Sequence, residues 1–116
     1  MSTPSPILNM LNEWLRGCGA ESQKLELFGI LRDMAKAMAS GELSEEQAME
    51  LIDKLASAIS ALRQRAGLST DMKKLKDAML NAVRAESGIE SMDYVRRRLR
   101  EIRRKRAEMT SRGGLF

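Results

Sequence analysis

Three times along this chain a glycine is followed by a short polar step, a hydroxyl side chain and an acid. The stretches are Gly41-Glu-Leu-Ser-Glu, Gly67-Leu-Ser-Thr-Asp and Gly88-Ile-Glu-Ser-Met-Asp. Glycine just past a helix end closes it with left-handed backbone, and a Ser, Thr or Asp cap opens the next. A chain punctuated this way is committed to helices joined by short turns. The side chains between the punctuation marks share no pattern, so this is helix grammar rather than a repeat protein.

The residues between the stops agree. Val83 and Val95 are the only valines, so a sheet has little to be built from. Leu, Ala, nine Met and the long charged residues carry most of the chain, and all enter helices at low cost. Ser5 before Pro6 is a helix start, with Ile7, Leu8, Leu11, Trp14 and Leu15 on one face and a stop at Gly17-Cys18-Gly19. A second helix spans about residues 21–40, with a core stripe of Leu27, Phe28, Leu31, Met34, Ala35 and Met38. Leu25 and Ile30 widen its apolar surface, which places it centrally.

Ser44 with Gln47 forms a capping box for a third helix, whose Ala48, Leu51, Ile52, Leu55, Ile59 and Leu62 face inward. Ser69 or Thr70 caps a fourth, carrying Met72, Leu75, Met79, Ala82 and Val83 to a stop at Gly88. Ser91 or Glu90 opens a fifth, ending at Gly113-Gly114. The expectation is one all-α domain over residues 1–116, a compact bundle of about five helices. Residues 1–88 form the body, 89–112 the basic last helix and 113–116 a tail.

Charge separates those parts. Residues 94–112 carry nine basic and two acidic side chains, a local charge of +7. Residues 1–93 carry eleven basic and fourteen acidic, a local −3, and together they make the chain's +4. A charge confined to one element is a surface for an anionic partner. Cys18 is the only cysteine, so no intrachain disulfide forms and a reducing, intracellular compartment is expected, a virion or nucleoprotein particle included. The N-terminus lacks a secretion-signal pattern and no run is long enough to span a membrane.

Catalysis finds little to work with. There is no histidine to act as base or metal ligand, no glycine-rich phosphate loop and no nucleophile elbow. Glu42, Glu45, Glu46, Glu50 and Asp53 crowd one helix start, where capping and the helix dipole account for them without a metal. Most of the methionines sit on core stripes as gap-fillers. No enzyme activity, cofactor, metal or small-molecule substrate is implied.

Residues 61–79 superficially resemble a helix-turn-helix, which would direct Lys73, Lys74 and Lys76 at DNA. Arg63 and Lys73 stand where that motif needs small and apolar packing residues, so the likeness reduces to a glycine stop and a serine cap.

The last helix remains. An apolar seam of Met92, Val95, Leu99, Ile102 and Met109 runs through it in steps of three and four, with Arg106 in the one gap. Arg96, Arg100, Arg103 and Arg104 flank one side, and Arg98 and Lys105 the other, with Arg97 beyond. Local i,i+4 pairs with Glu101 and Glu108 neutralise only part of this charge. A preference for Arg over Lys suits phosphate, which a guanidinium grips bidentately.

The leading expectation is therefore a nucleic-acid-binding protein gripping DNA or RNA phosphates through Arg96, Arg97, Arg98, Arg100, Arg103, Arg104, Lys105 and Arg106. With no readout motif its sequence preference is weak, as in nucleoid, ribonucleoprotein or genome packaging. The alternative is a structural or adaptor protein, a virion or scaffold component, whose last helix self-assembles or binds an acidic protein. Either way the seam docks on the bundle or on another chain, and a homo-oligomer is expected. The seam is too narrow for a membrane surface.

Overall fold

The computed structural model describes residues 4–113, with side chains described through residue 108. Among the described residues it is all-helical: α1 (Pro6–Trp14), α2 (Glu21–Ala39), α3 (Glu45–Arg65) and α4 (Met72–Gly113). There are four helices, not five. The expected stop at Gly88 does not occur, and α4 runs unbroken for 42 residues. Gly114 and the rest of the tail lie outside the described residues.

The reason lies in the residues after each glycine. Gly41 and Gly67 adopt positive φ, and the turns close behind them: the Glu42 amide donates to the Ala37 carbonyl at 2.9 Å and the Leu68 amide to that of Arg63 at 2.9 Å. Downstream of each, a new helix is capped. Ser44 and Gln47 complete both halves of their box at 3.2 and 3.0 Å. Asp71, rather than Ser69 or Thr70, accepts the Lys74 amide at 3.2 Å. Downstream of Gly88, Ser91 has Tyr94 where a capping box needs Glu or Gln. A mid-helix glycine costs only about 1 kcal/mol against alanine, so the uninterrupted ladder wins.

The core gathers Ile7, Met10, Leu11 and Leu15 of the first segment with Leu27, Leu31, Met34 and Ala35, then Ala48, Ile52, Ala56 and Ile59, then Leu75, Met79, Ala82 and Val83. Both α2 and α4 pack against all the other helices, whereas α1 and α3 barely meet. α2 does so through one face only: Leu25 and Ile30, expected to widen its buried surface, are exposed. Leu51 is also exposed, while Leu55 and Leu62 are half-buried.

Cross-links set the directions. Arg84 pairs with Glu45, and Lys76 with Asp53 at 3.1 Å, so α3 runs antiparallel to α4 along its length. A helix-turn-helix crosses its two helices at roughly 90–120°; this is a hairpin instead. The capping hydroxyl of Ser5 donates to the Glu86 carboxylate at 3.1 Å while accepting the Leu8 amide at 3.2 Å. Glu86 is the one buried charged side chain among the described residues, and it sits at the positive end of α1. Arg63 ties the opposite end. Its guanidinium donates to the Trp14 carbonyl at 2.7 Å, the Thr70 hydroxyl at 2.9 Å and the Ser69 carbonyl at 3.0 Å, and lies 5.0 Å from the centre of the Trp14 ring.

The molecule measures 74 × 30 × 18 Å with a radius of gyration of 19.4 Å. A compact domain of this length has a radius of about 13 Å, so the expected compactness is not met. The excess is the end of α4, which leaves the bundle after Ser91.

Urea unfolding, read from Trp14 fluorescence, tests these assignments. Gly88→Ala should raise stability by about 0.5–1 kcal/mol, because position 88 is helical with open space around it; Gly67→Ala, at positive φ, should lower it. Arg63→Ala should cost about 2 kcal/mol, since it orphans the last carbonyl of α1 along with the turn. Arg63→Lys should recover little of this.

Candidate nucleic-acid interface

α4 has two halves with different surroundings. Up to Ser91 it packs on the bundle; from residue 92 to 108 every side chain is exposed. At about 1.5 Å per residue the projecting part, residues 92–113, extends roughly 33 Å. All eight basic residues singled out from the sequence, Arg96 to Arg106, lie on it and face solvent. The seam does not dock on its own bundle: Met92 is 56% exposed, Val95 52%, Leu99 46% and Ile102 52%. Met109, the fifth seam residue, has its side chain outside the described residues.

Helical phase explains the exposure. At about 100° per residue, Leu75, Met79, Val83, Glu86 and Glu90 share one face of α4, the face against the bundle. Met92, Val95, Leu99 and Ile102 centre about 180° away from it. Because Gly88 does not break the helix, nothing resets that phase.

Local pairing leaves much of the charge unbalanced. Arg98 bonds to Glu101 at 3.1 Å and Arg96 approaches Asp93 at 3.9 Å, both i,i+3 rather than the expected i,i+4. Such exposed pairs are worth only a few tenths of a kcal/mol. Arg97, Arg100, Arg103, Arg104 and Lys105 meet no acidic partner within 4 Å among the described residues.

The tertiary structure adds cations that a linear sum of charge does not reveal. α2 runs parallel to α4 and ends beside its projecting half, leaving an open cleft of about 870 Å³. Arg32, Lys36 and Ala39 line it from α2 and Ser40 from its C-cap; Glu90, Asp93, Tyr94, Arg97 and Arg100 line it from α4. Four cations against two acids share this wall. Arg32 reaches Glu90 only at 4.0 Å. The signal in the sequence is the i,i+4 spacing of Arg32 and Lys36, which places both on one edge of α2; which element that edge faces is a tertiary fact. Tyr94, the only tyrosine, stands within the same wall.

The other candidates from the sequence have structural places. Glu45 and Asp53 of the acidic cluster hold Arg84 and Lys76, and Lys76 is thereby committed to the bundle. Cys18 is half-buried against the core. Among the described residues no helix is long and apolar enough to cross a membrane.

Since nothing from residue 92 to 108 is buried, a chain ending at Ser91 should keep its cooperative unfolding. Its unfolding free energy should stay within about 0.5 kcal/mol of the full chain's, while its far-ultraviolet helix signal falls. No protein-family model matches the chain, and neither the curated proteins nor the solved structures yield a match.

Proposed function

We propose that this chain is a non-enzymatic nucleic-acid-binding protein whose projecting helix lies along a phosphate backbone. The observation that carries the reading is the set of unneutralised cations on one protruding rod. Arg97, Arg100 and Arg104 share the face turned toward α2, where Arg32 and Lys36 extend the same positive surface. Guanidinium groups on an exposed helix reach phosphate oxygens without desolvating a core, and displaced counterions supply the driving force. Among the described residues no recognition element accompanies them, so affinity is spread over sequences. Either DNA or RNA offers this chemistry.

The exposed apolar seam favours a second reading, a structural or adaptor role in which the same rod joins another chain.

A salt titration of duplex and single-stranded oligonucleotides tests the first reading. Log affinity should fall linearly with log salt, by about 0.9 per phosphate contact on duplex DNA. Arg97→Gln with Arg100→Gln should flatten the slope by roughly two contacts, and Lys36→Gln by about one more. Absence of binding to every oligonucleotide at low salt would overturn it.

A further inference from the structure

The seam is an interaction surface in its own right, on the side of the helix away from the cleft. Its availability is therefore independent of whether phosphate binds to the other face. Naming the chemistry of its partner deepens the adaptor reading, on which it rests.

Four large apolar side chains in sequence, each about half exposed, line one face of a helix that nothing among the described residues covers. A phosphate backbone offers no apolar counterpart to such a stripe. Steps of three and four are the seam of a coiled coil, with Met92 and Leu99 at a positions and Val95 and Ile102 at d positions. That register puts Arg96 and Arg103 at the e positions and Arg98 and Lys105 at the g positions. Every charged flanking residue among residues 92–108 in this register is basic.

Flanks of one sign decide the occupant. In a parallel pair of identical helices, Arg98 would face the second copy's Arg103; in an antiparallel pair, e meets e and g meets g, again cation against cation. A second copy is repelled in either orientation. An incoming helix with apolar a and d residues and Glu or Asp at e and g meets four complementary charges. Only two of those four cations have an intrahelical partner to give up, Arg98 with Glu101 and Arg96 with Asp93, both at the exposed surface.

We propose that the face formed by Met92, Val95, Leu99 and Ile102 docks an acid-flanked amphipathic helix of another protein. The pairing is a short heteromeric coiled coil with the arginine flanks selecting the partner. Specificity comes as much from rejecting basic-flanked helices, this chain's own included, as from attracting acidic ones.

Fluorescence anisotropy with the full chain and labelled synthetic peptides tests it. One peptide of about three heptads carries Leu at a and d and Glu at e and g; a second has the same composition shuffled to abolish the seam. At about 0.15 M salt, where screening acts over roughly 8 Å, the first should bind saturably and the second should not. Leu99→Asp should weaken binding at least about tenfold, as expected for losing a buried leucine contact. Arg97→Gln with Arg100→Gln, on the opposite face, should change it by less than about twofold. Unchanged circular dichroism of Leu99→Asp confirms that the fold is intact. Equal binding of the two peptides, binding of neither, or a chain that sediments alone as a dimer dissolved by Leu99→Asp would each overturn the proposal.

Discussion

The structure depends on one continuous backbone. Once α4 stays helical through Gly88, the direction of every side chain beyond that point is dictated by Leu75, Met79 and Val83, which are fully buried. The helix is then a rigid coupling between a packed half and a free half. Its core face carries hydrophobics as far as Val83 and closes with Glu86 and Glu90, while the apolar line starting at Met92 appears on the reverse side. The bundle can cover the first and has no element with which to cover the second. A broken helix could rotate to bury its seam; an unbroken one holds the seam away.

That geometry also makes the basic segment tenable. An isolated helix of modest length is marginal in water because nucleation is unfavourable. Here the nucleus already exists in the packed turns of α4, and residues 92–113 only propagate it. The like charges along the rod oppose that propagation, with Arg98–Glu101 and Arg96–Asp93 as local relief. Anything anionic that binds the rod adds to its helical stability by mass action. The rod is thus the least stabilised helical part of the molecule on its own and the part with most to gain from a ligand.

Within the bundle, polar clamps at the ends of α1 do what hydrophobic packing alone does not. Ser5 has two roles, closing α1 and giving the buried Glu86 a proton donor. At the other end Arg63 occupies the position where a helix-turn-helix would need a small residue, and it makes three hydrogen bonds and a ring contact there. Its presence is legible in the sequence as a departure from a motif. Its role is not, because Trp14 lies 49 positions away along the chain. Local signals read well: the Ser5-Pro6 start, the Ser44–Gln47 box and the stops at Gly41 and Gly67 depend on residues within one turn. Leu25, Ile30 and Leu51 depart from their expected burial because periodicity marks an apolar position without saying whether a neighbour reaches it.

The sequence by itself determined the helical class, the Ser5 and Ser44 caps, the stops at Gly41 and Gly67, most of the core stripes and the concentration of arginine after position 94. All of these depend on interactions a few residues apart along one stretch of chain. Tertiary structure alone decided that the seam of α4 faces outward. It also decided that Arg32 and Lys36 stand beside Arg97 and Arg100. The physical reason is the same in each case. Continuity through Gly88 follows from local helix energetics, but the facing of every residue beyond it is inherited from packing that begins at Leu75.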